Sequence, residues 1–309
     1  MASMTMQQRK LPRAGKKQAG AAQRDRLFAW IWVAPAILFV AIFLVYPTLN
    51  TVFASFENAD SSQFVGLENF QKIFTDSQML AVLKNNLVWL VLATVGTVLL
   101  GLIIAVLVDR VRIESVIKSA IFIPMAISFV GAAVIWKFVY DYQPPGQTQI
   151  GLLNAIVTST GQQPQGWLVN SPGDNLALIV IYVWMWTGFC MVILSAALKG
   201  VPAEVLEAAR CDGASEWTIF SRIIVPMISP TIVVVTTTMV INVLKIFDII
   251  YTLTGGDYNT NVVAMEFYQQ LFTNQNYGRA SALAVLLLVV IIPIMVINVR
   301  RFRAQEAQR

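Results

Sequence analysis

The chain has no histidine and only two cysteines. Without an imidazole there is no His-based metal site and no His-dependent catalysis. Cys190 and Cys211 alone make no disulfide framework. Charge is scarce: Asp, Glu, Lys and Arg make up 13% of the residues, against roughly a quarter in a soluble domain, so a soluble globular fold is excluded. No G-x-x-x-x-G-K-[ST] run occurs, so there is no nucleotide-binding loop of that type. If ATP drives the work of this protein, another polypeptide has to supply the ATPase. Ten-residue stretches of alternating polarity are missing too, which argues against a strand barrel.

What remains is apolar. Hydrophobic residues account for 57% of the chain and the mean hydropathy is +0.65, which places it inside a membrane. Six apolar runs stand out, at about 28–48, 84–108, 119–140, 175–198, 230–253 and 280–299. Each is close to the ~20 residues a helix needs to cross the hydrocarbon. The expected fold class is an all-α integral membrane protein with six transmembrane helices. The expected division is a basic, disordered tail over 1–27, a single membrane domain over 28–299, and a short tail over 300–309. The first apolar run is too long for a signal-peptide core, so it is read as a retained span.

The basic residues cluster on one side of that arrangement. The N-terminal tail carries Arg9, Lys10, Arg13, Lys16, Lys17, Arg24 and Arg26. The next loop on that side has Arg110, Arg112 and Lys118, the next Lys199, Arg210 and Arg222, and the C-terminal tail Arg300, Arg301, Arg303 and Arg309. The opposite loops hold little beyond Lys72, Lys84 and Arg279. Positive loops stay inside, so both termini and the 199–229 loop are expected in the cytoplasm. The net charge of +5 is therefore a topology signal. With no basic run interleaved with aromatics, it does not indicate a nucleic-acid partner.

The polar loop over about 199–229 is the most informative segment. Pro202 suits a helix start, and Glu204 and Glu207 sit where the helix dipole favours negative charge. Ala208 and Ala209 are strong helix formers that allow close approach by another surface. Gly213 can take the left-handed conformation that ends a helix, and Ser215 is positioned to cap a second one. Trp217, Phe220, Ile223 and Ile224 follow at helical spacing and are expected to form one apolar stripe. Pro226 and Pro230 are expected to stop that helix and turn the chain into the next span. A helix, a glycine break, a second helix and a proline return describe a docking element.

These residues carry a family resemblance. The stretch EAARCDGASEWTIFSRIIVPMISP resembles the EAA motif of permease subunits in binding-protein-dependent ABC importers. APAILFVAIFLVYPTLNTVFASFENAD, followed by FVGLENFQKIF, is similar to the start of the carbohydrate branch, the MalF-like permeases. FDIIYTLTGG at the end of the fifth run is also typical of that branch. The similarity covers nearly the whole chain from about residue 28. One departure is that the family often reads LTGGGP, whereas Asp257 and Tyr258 follow Gly256 here, which leaves the end of the fifth span open.

The resemblance implies a type I ABC importer permease architecture, a multi-pass place in a bacterial or archaeal cytoplasmic (inner) membrane, and a defined set of partners. These are a second, MalG-like permease subunit, two ATPase subunits that bind ATP and Mg, an extracytoplasmic sugar-binding protein, and membrane lipid. No cofactor is implied for this chain, and it is not expected to be an enzyme. It would form half of the pore and couple to the ATPases through Glu207, Ala208, Ala209, Asp212 and Gly213. Glu207 is assigned a charge-assisted contact with the ATPase and Gly213 the helix break. The substrate implied is a sugar, α-glucoside or maltose-like. A polyol, glycerol phosphate or another small solute is the alternative.

Inside the spans, Asn242, Lys245 and Asp248 are polar at a depth where polarity is costly. Lys245 and Asp248 are i,i+3 neighbours and are expected to pair on one helix face, either as a packing bridge or as a gate. A sugar site needs aromatic faces and a few amide or hydroxyl partners. The fourth span offers Tyr182, Trp184, Trp186 and Phe189, and the fifth presents Met239, Asn242, Val243 and Ile246 on one face. The resemblance places sugar contacts on these two spans, so Tyr182, Trp186, Phe189, Met239, Asn242 and Ile246 are the substrate-pathway candidates. Trp184 and Trp186 also suit an interfacial belt or helix packing, and Trp30, Trp32, Trp89 and Trp136 are better explained by a belt or packing. The 141–173 segment, rich in proline and glycine, is expected to form irregular turns around a short helix near Leu152–Val157 and to meet the binding protein.

Two other functions fit less well. A secondary transporter would show inverted repeats and clustered polar residues in broken helices, and neither is visible. An intramembrane enzyme would need a nucleophile–base or metal constellation, and few buried acids are available to build one.

Overall fold

The computed structural model of the chain describes residues 30–109 and 111–306, the last six by backbone alone. The basic tail over 1–27, Arg110, and the side chains of Arg301, Arg303 and Arg309 lie outside the described residues. The chain divides into two units, residues 1–53 and 54–309.

The described part of the first unit is helix α1 (Trp30–Ala54), which runs one residue past the boundary. It contains a π-helical turn at Ala41–Val45. Its apolar side chains are exposed all round, Trp30 at 64% and Trp32 at 84% among them. A helix that is apolar on every face belongs in lipid or against another apolar surface.

The second unit is helical throughout. Among its described residues the sole β pairing is an isolated bridge between Glu57 and Phe64. Its elements are α2 (Glu68–Thr75), α3 (Ser77–Val108), α4 (Glu114–Phe122), α5 (Phe129–Val139), α6 (Leu152–Ser159), α7 (Gly173–Lys199), α8 (Ala203–Cys211), α9 (Glu216–Leu244), α10 (Asp248–Leu253), α11 (Val263–Tyr268) and α12 (Tyr277–Glu306). Helices α1, α3, α7, α9 and α12 are each long and apolar enough to cross a bilayer.

Two expected spans differ from a single straight helix. The 119–140 run bends by 102° between Glu114–Ala126 and α5. Pro124 removes a backbone donor, the chain tightens into a 3-10 turn at Ile123–Ala126, and Ser128 restarts the helix by accepting the Gly131 N–H at 3.1 Å. The 230–253 run breaks after Leu244. There the N–H groups of Lys245 and Ile246 turn back to Asn242 O (3.2 Å) and Val243 O (3.0 Å), which closes α9 in a tight final turn.

The core lies between α3 and α7. Trp89, Ala93, Leu178, Ile181 and Tyr182 are almost wholly buried there. Gly101 permits this approach: a Cβ at that position would lie 2.6 Å from Cys190 Cβ and 2.9 Å from the Met191 nitrogen.

Helix α7 joins the two ends of the bundle. At its last residue, Lys199 Nζ meets Glu114 Oε1 at 2.7 Å, and Lys118 reaches both Glu114 and Ser195. The start of α4 and the loop after α7 are therefore at one end. At the other end, Asn175 Nδ2 donates to Asn259 O at 3.0 Å, and Asn175 Oδ1 accepts from Trp89 Nε1 at 3.1 Å. Asn85 Nδ2 donates to Asn259 O (2.6 Å) and Asn261 O (3.0 Å), and Asn86 Oδ1 accepts from Val263 N (3.0 Å). These amides hold the turn after α10, where Gly255, Gly256, Tyr258 and Asn259 all have positive φ. The end of the fifth run, open in the sequence, is this amide-clasped turn.

The 141–173 segment holds the expected short helix, α6. Asn154 within it is fully buried and organises the turns around it. It donates to Asp141 O (2.8 Å) and Gln165 O (3.0 Å) and accepts from Gln165 N (2.8 Å) and Trp167 Nε1 (3.2 Å).

Candidate functional site

The loop between α7 and α9 is built as a rigid, exposed knuckle. Pro202 precedes α8 in extended conformation and Glu204 lies in its first turn. The helix ends with Gly213 at φ +79°. The Gly213 N–H returns to Arg210 O (3.0 Å) and the Ala214 N–H to Ala209 O (3.0 Å), a paired closure that satisfies the last carbonyls. Ser215 then caps α9, accepting the Thr218 N–H at 3.2 Å. Arg210 crosses the break to Glu216, with Nε–Oε1 at 2.8 Å and Nη2–Oε2 at 3.2 Å. This carboxylate also holds the guanidinium pKa above its ordinary value.

Leu206 and Ile219 anchor the knuckle in the protein, at 8% and 0% exposure. Glu207, Ala208, Asp212 and Gly213 are exposed and Ala209 is half-buried. Five motif positions thus share one short outward-facing segment that makes little use of them internally.

The proline return does not occur. Helix α9 continues from the loop into the membrane as one helix, with Pro226 and Pro230 inside it. A π-helical turn at Phe220–Ile224 precedes Pro226. It widens the helix where the proline ring would otherwise meet the carbonyl four residues back. The expected single stripe is not formed: Trp217 is 73% exposed, Ile219 is the buried residue, and Phe220, Ile223 and Ile224 are half-buried.

The substrate-pathway candidates are brought together, but unequally. Tyr182 and Met239 are in the packed interior, at 1% and 0% exposure, and Ile246 is at 4%. Trp186 stacks near Tyr182 (ring centroids 6.2 Å) and meets Phe189 edge-on (5.5 Å). Trp186, Phe189 and Met239 pack in one cluster, while Tyr182 and Ile246 belong to the neighbouring one that Trp186 also touches. The Tyr182 hydroxyl and the Trp186 Nε1 are buried without a hydrogen-bond partner among the described residues. Asn242 is half-buried, and its Nδ2 donates to Thr238 O of the same helix at 3.0 Å. No hydrogen bond among the described residues uses its Oδ1.

Lys245 and Asp248 do not pair. The helix break falls between them, Lys245 is exposed, and no ion pair joins them among the described residues. The i,i+3 argument required one continuous helix, which the chain does not form there.

One group of residues was missed by sequence reasoning. Phe247, just before α10, and Tyr251 on it meet Tyr268 and Phe272 from α11 and the turn after it. The centroids are 5.1 Å apart for Phe247–Tyr251, Phe247–Tyr268 and Tyr251–Tyr268, and 4.8 Å for Tyr268–Phe272. The i,i+4 aromatic spacing in both segments was readable, but their meeting was not.

A multi-pass helical bundle with an outward helix–glycine–helix knuckle between two spans defines a membrane component that grips a partner outside the bilayer. The chain belongs to the family of binding-protein-dependent transport system inner membrane components, which it matches over residues 97–303. It is thus a permease subunit of an ABC importer, located in the inner membrane. It is 58% identical over 279 residues to the osmoprotective compounds uptake permease protein GgtC of Synechocystis sp., covering 90% of this chain and 100% of that one. It is 44% identical to the alpha-glucoside transport system permease protein AglF of Rhizobium meliloti, covering 94% and 88%. Its fold matches a chain in the crystal structure of a bacterial ABC transporter involved in import of the acidic polysaccharide alginate. The TM-score is 0.76 at 22% identity, covering 92% of this chain and 99% of that one.

Proposed function

We propose that this permease passes a neutral α-glucoside-type sugar and is driven by ATP hydrolysed on separate subunits. The single observation that carries the coupling half of this reading is the exposed knuckle at 203–216, with its motif residues facing outward. Glu207 and Asp212 offer carboxylates to donors on an ATPase, and the small Ala208 allows close approach. The chain itself has no ATPase, and ATP with Mg belongs to two partner subunits. A second permease completes the pore, and an external binding protein delivers the sugar. The positive-inside pattern supports a cytoplasmic position for the knuckle and both termini.

The substrate half draws on the relative named for alpha-glucoside transport and on half-buried Asn242, whose amide oxygen takes no hydrogen bond among the described residues and can meet a hydroxyl. The relative named for osmoprotective compounds supports a second reading, a small polyhydroxy compatible solute.

The test is reconstitution with the second permease, the ATPase and the binding protein, followed by uptake of labelled α-glucosides. ATP-dependent uptake, with no ATP hydrolysis by the purified chain alone, is expected. Hydrolysis by the chain alone would overturn the division of labour, and failure of every α-glucoside would overturn the substrate class.

A further inference from the structure

Glu114 opens α4, and its carboxylate gathers two ammonium groups. Lys118 reaches it from one turn further along the same helix, and Lys199, the last residue of α7, reaches it from outside at 2.7 Å. Lys118 also bonds the hydroxyl of Ser195, which is buried in α7. An i,i+4 pair at a helix start is local chemistry and needs no second cation. The contact with Lys199 is of another kind, because it ties two separate helices. The Glu114 side chain is 19% exposed and that of Lys199 55%. An ion pair with one partner so open adds little stability, so its consequence lies in where it stands.

Lys199 is the root of the knuckle. Gly200, Val201 and Pro202 alone separate it from α8. That link is wound, with the Gly200 N–H on Ala197 O (3.1 Å) and the Val201 N–H on Leu198 O (3.2 Å). A force on α8 therefore arrives at the end of α7 with little slack. There α4 meets α7 at two levels. At Glu114 the ion pair joins them. At Gly188 their backbones approach so closely that a Cβ would lie 2.5 Å from Ile121 O and 2.7 Å from Phe122 Cα. Past Phe122 the chain takes its 102° bend into α5, whose Phe129 and Trp136 pack in the cluster of Ile246, Ile249 and Ile250. The bent span thus reaches from the root of the knuckle to the broken end of α9.

We propose that Glu114 is a positioning residue for transport: acting through Lys199, it braces the root of the knuckle on α4, so that a displacement of α8 moves the bent span as well as α7. Glu114 lies outside the coupling motif, and this role needs no contact with an ATPase or a sugar. It rests on the coupling reading of the knuckle.

The experiment uses the reconstituted importer with saturating binding protein and labelled trehalose, sucrose and maltose as probes. The readouts are sugar imported per ATP hydrolysed and the melting temperature of the complex. Glu114→Gln and Lys199→Met are each expected to lower the ratio by about threefold or more while the melting temperature holds. The double variant is expected to be no worse than Glu114→Gln alone, since both remove one tie. Lys199→Arg, which keeps the charge, is expected to retain most of the ratio. A wild-type ratio in both single variants would overturn the brace, and so would losses that add in the double variant. A melting temperature that falls, with or without the ratio, would also overturn it and leave Glu114 a packing role. If Glu114→Gln fails to assemble, Lys199→Met at the open end of the pair decides alone. Failure of the coupling reading shows separately, as a wild-type ratio in Gly213→Val. If the wild type imports none of the three sugars, the α-glucoside reading falls by itself. The brace is then read from ATP hydrolysis by the complex without sugar, expected to rise about threefold in Glu114→Gln as the ATPases escape the permease, and an unchanged rate would overturn it.

Discussion

Arg210 and Glu216 are joined by a two-pronged ion pair, at 2.8 and 3.2 Å, across the glycine that separates α8 from α9. The pair bridges the outward helix and the helix that enters the membrane. Exposed pairs contribute little to stability, so its value lies in geometry. Arg210→Ala is expected to leave the melting temperature of the complex nearly unchanged and to lower sugar imported per ATP. A coupling ratio equal to wild type would show that the angle does not depend on this pair.

Gly213 has φ +79°, and a Cβ there would meet nothing within 4 Å. A substitution at this site is therefore opposed by the backbone conformation alone. Gly213→Val is expected to strain the break by roughly 1–2 kcal/mol and to uncouple ATP hydrolysis from uptake while membrane insertion remains. Gly213→Asn, which tolerates the left-handed region, is expected to retain most coupling. Equal transport by both variants would count against the break as a rigid element.

Gly101 presents the opposite situation, since its limit is space. A methyl group there would lie 2.6 Å from Cys190 Cβ and 2.9 Å from the Met191 nitrogen. Gly101→Ala is expected to force α3 from α7 and to destabilise the protein by about 1–3 kcal/mol. Gly173→Ala, with nothing within 4 Å of the added carbon, serves as the control. Thermal denaturation of the two variants side by side reads the difference.

Asn242 donates to its own helix at Thr238 O, so its loss should cost little packing. Asn242→Ala is expected to lower apparent sugar affinity by up to about tenfold, the worth of one neutral hydrogen bond of roughly 0.5–1.5 kcal/mol. The melting temperature of the complex is expected to hold. Unchanged uptake would remove Asn242 from the substrate pathway.

Much of the coupling knuckle could be read from residue order, because its determinants are local. Pro202, Gly213 and Ser215 each act through their own backbone or a donor three residues away, and the helix–break–helix order follows from them. Pro226 and Pro230 misled because a proline's effect depends on how the preceding turn is wound. The π turn at Phe220–Ile224 has no unambiguous mark in the sequence. In the 119–140 run, by contrast, Pro124 and Ser128 were a readable signal for the bend at their junction.

Composition and charge distribution, by themselves, determined a multi-pass helical membrane protein without a nucleotide-binding loop, since the bilayer imposes span length and backbone satisfaction on any apolar segment. Only the tertiary structure decided which polar groups have partners. The break after Leu244 separates Lys245 from Asp248, and burial removes Tyr182 and Met239 from solvent while leaving Asn242 half-open. The Phe247–Tyr251–Tyr268–Phe272 cluster likewise arises from two segments about twenty residues apart, brought together by the amide-clasped turn between them. Local chemistry is written in neighbouring residues, whereas the approach of distant helices depends on packing volumes summed over the whole bundle.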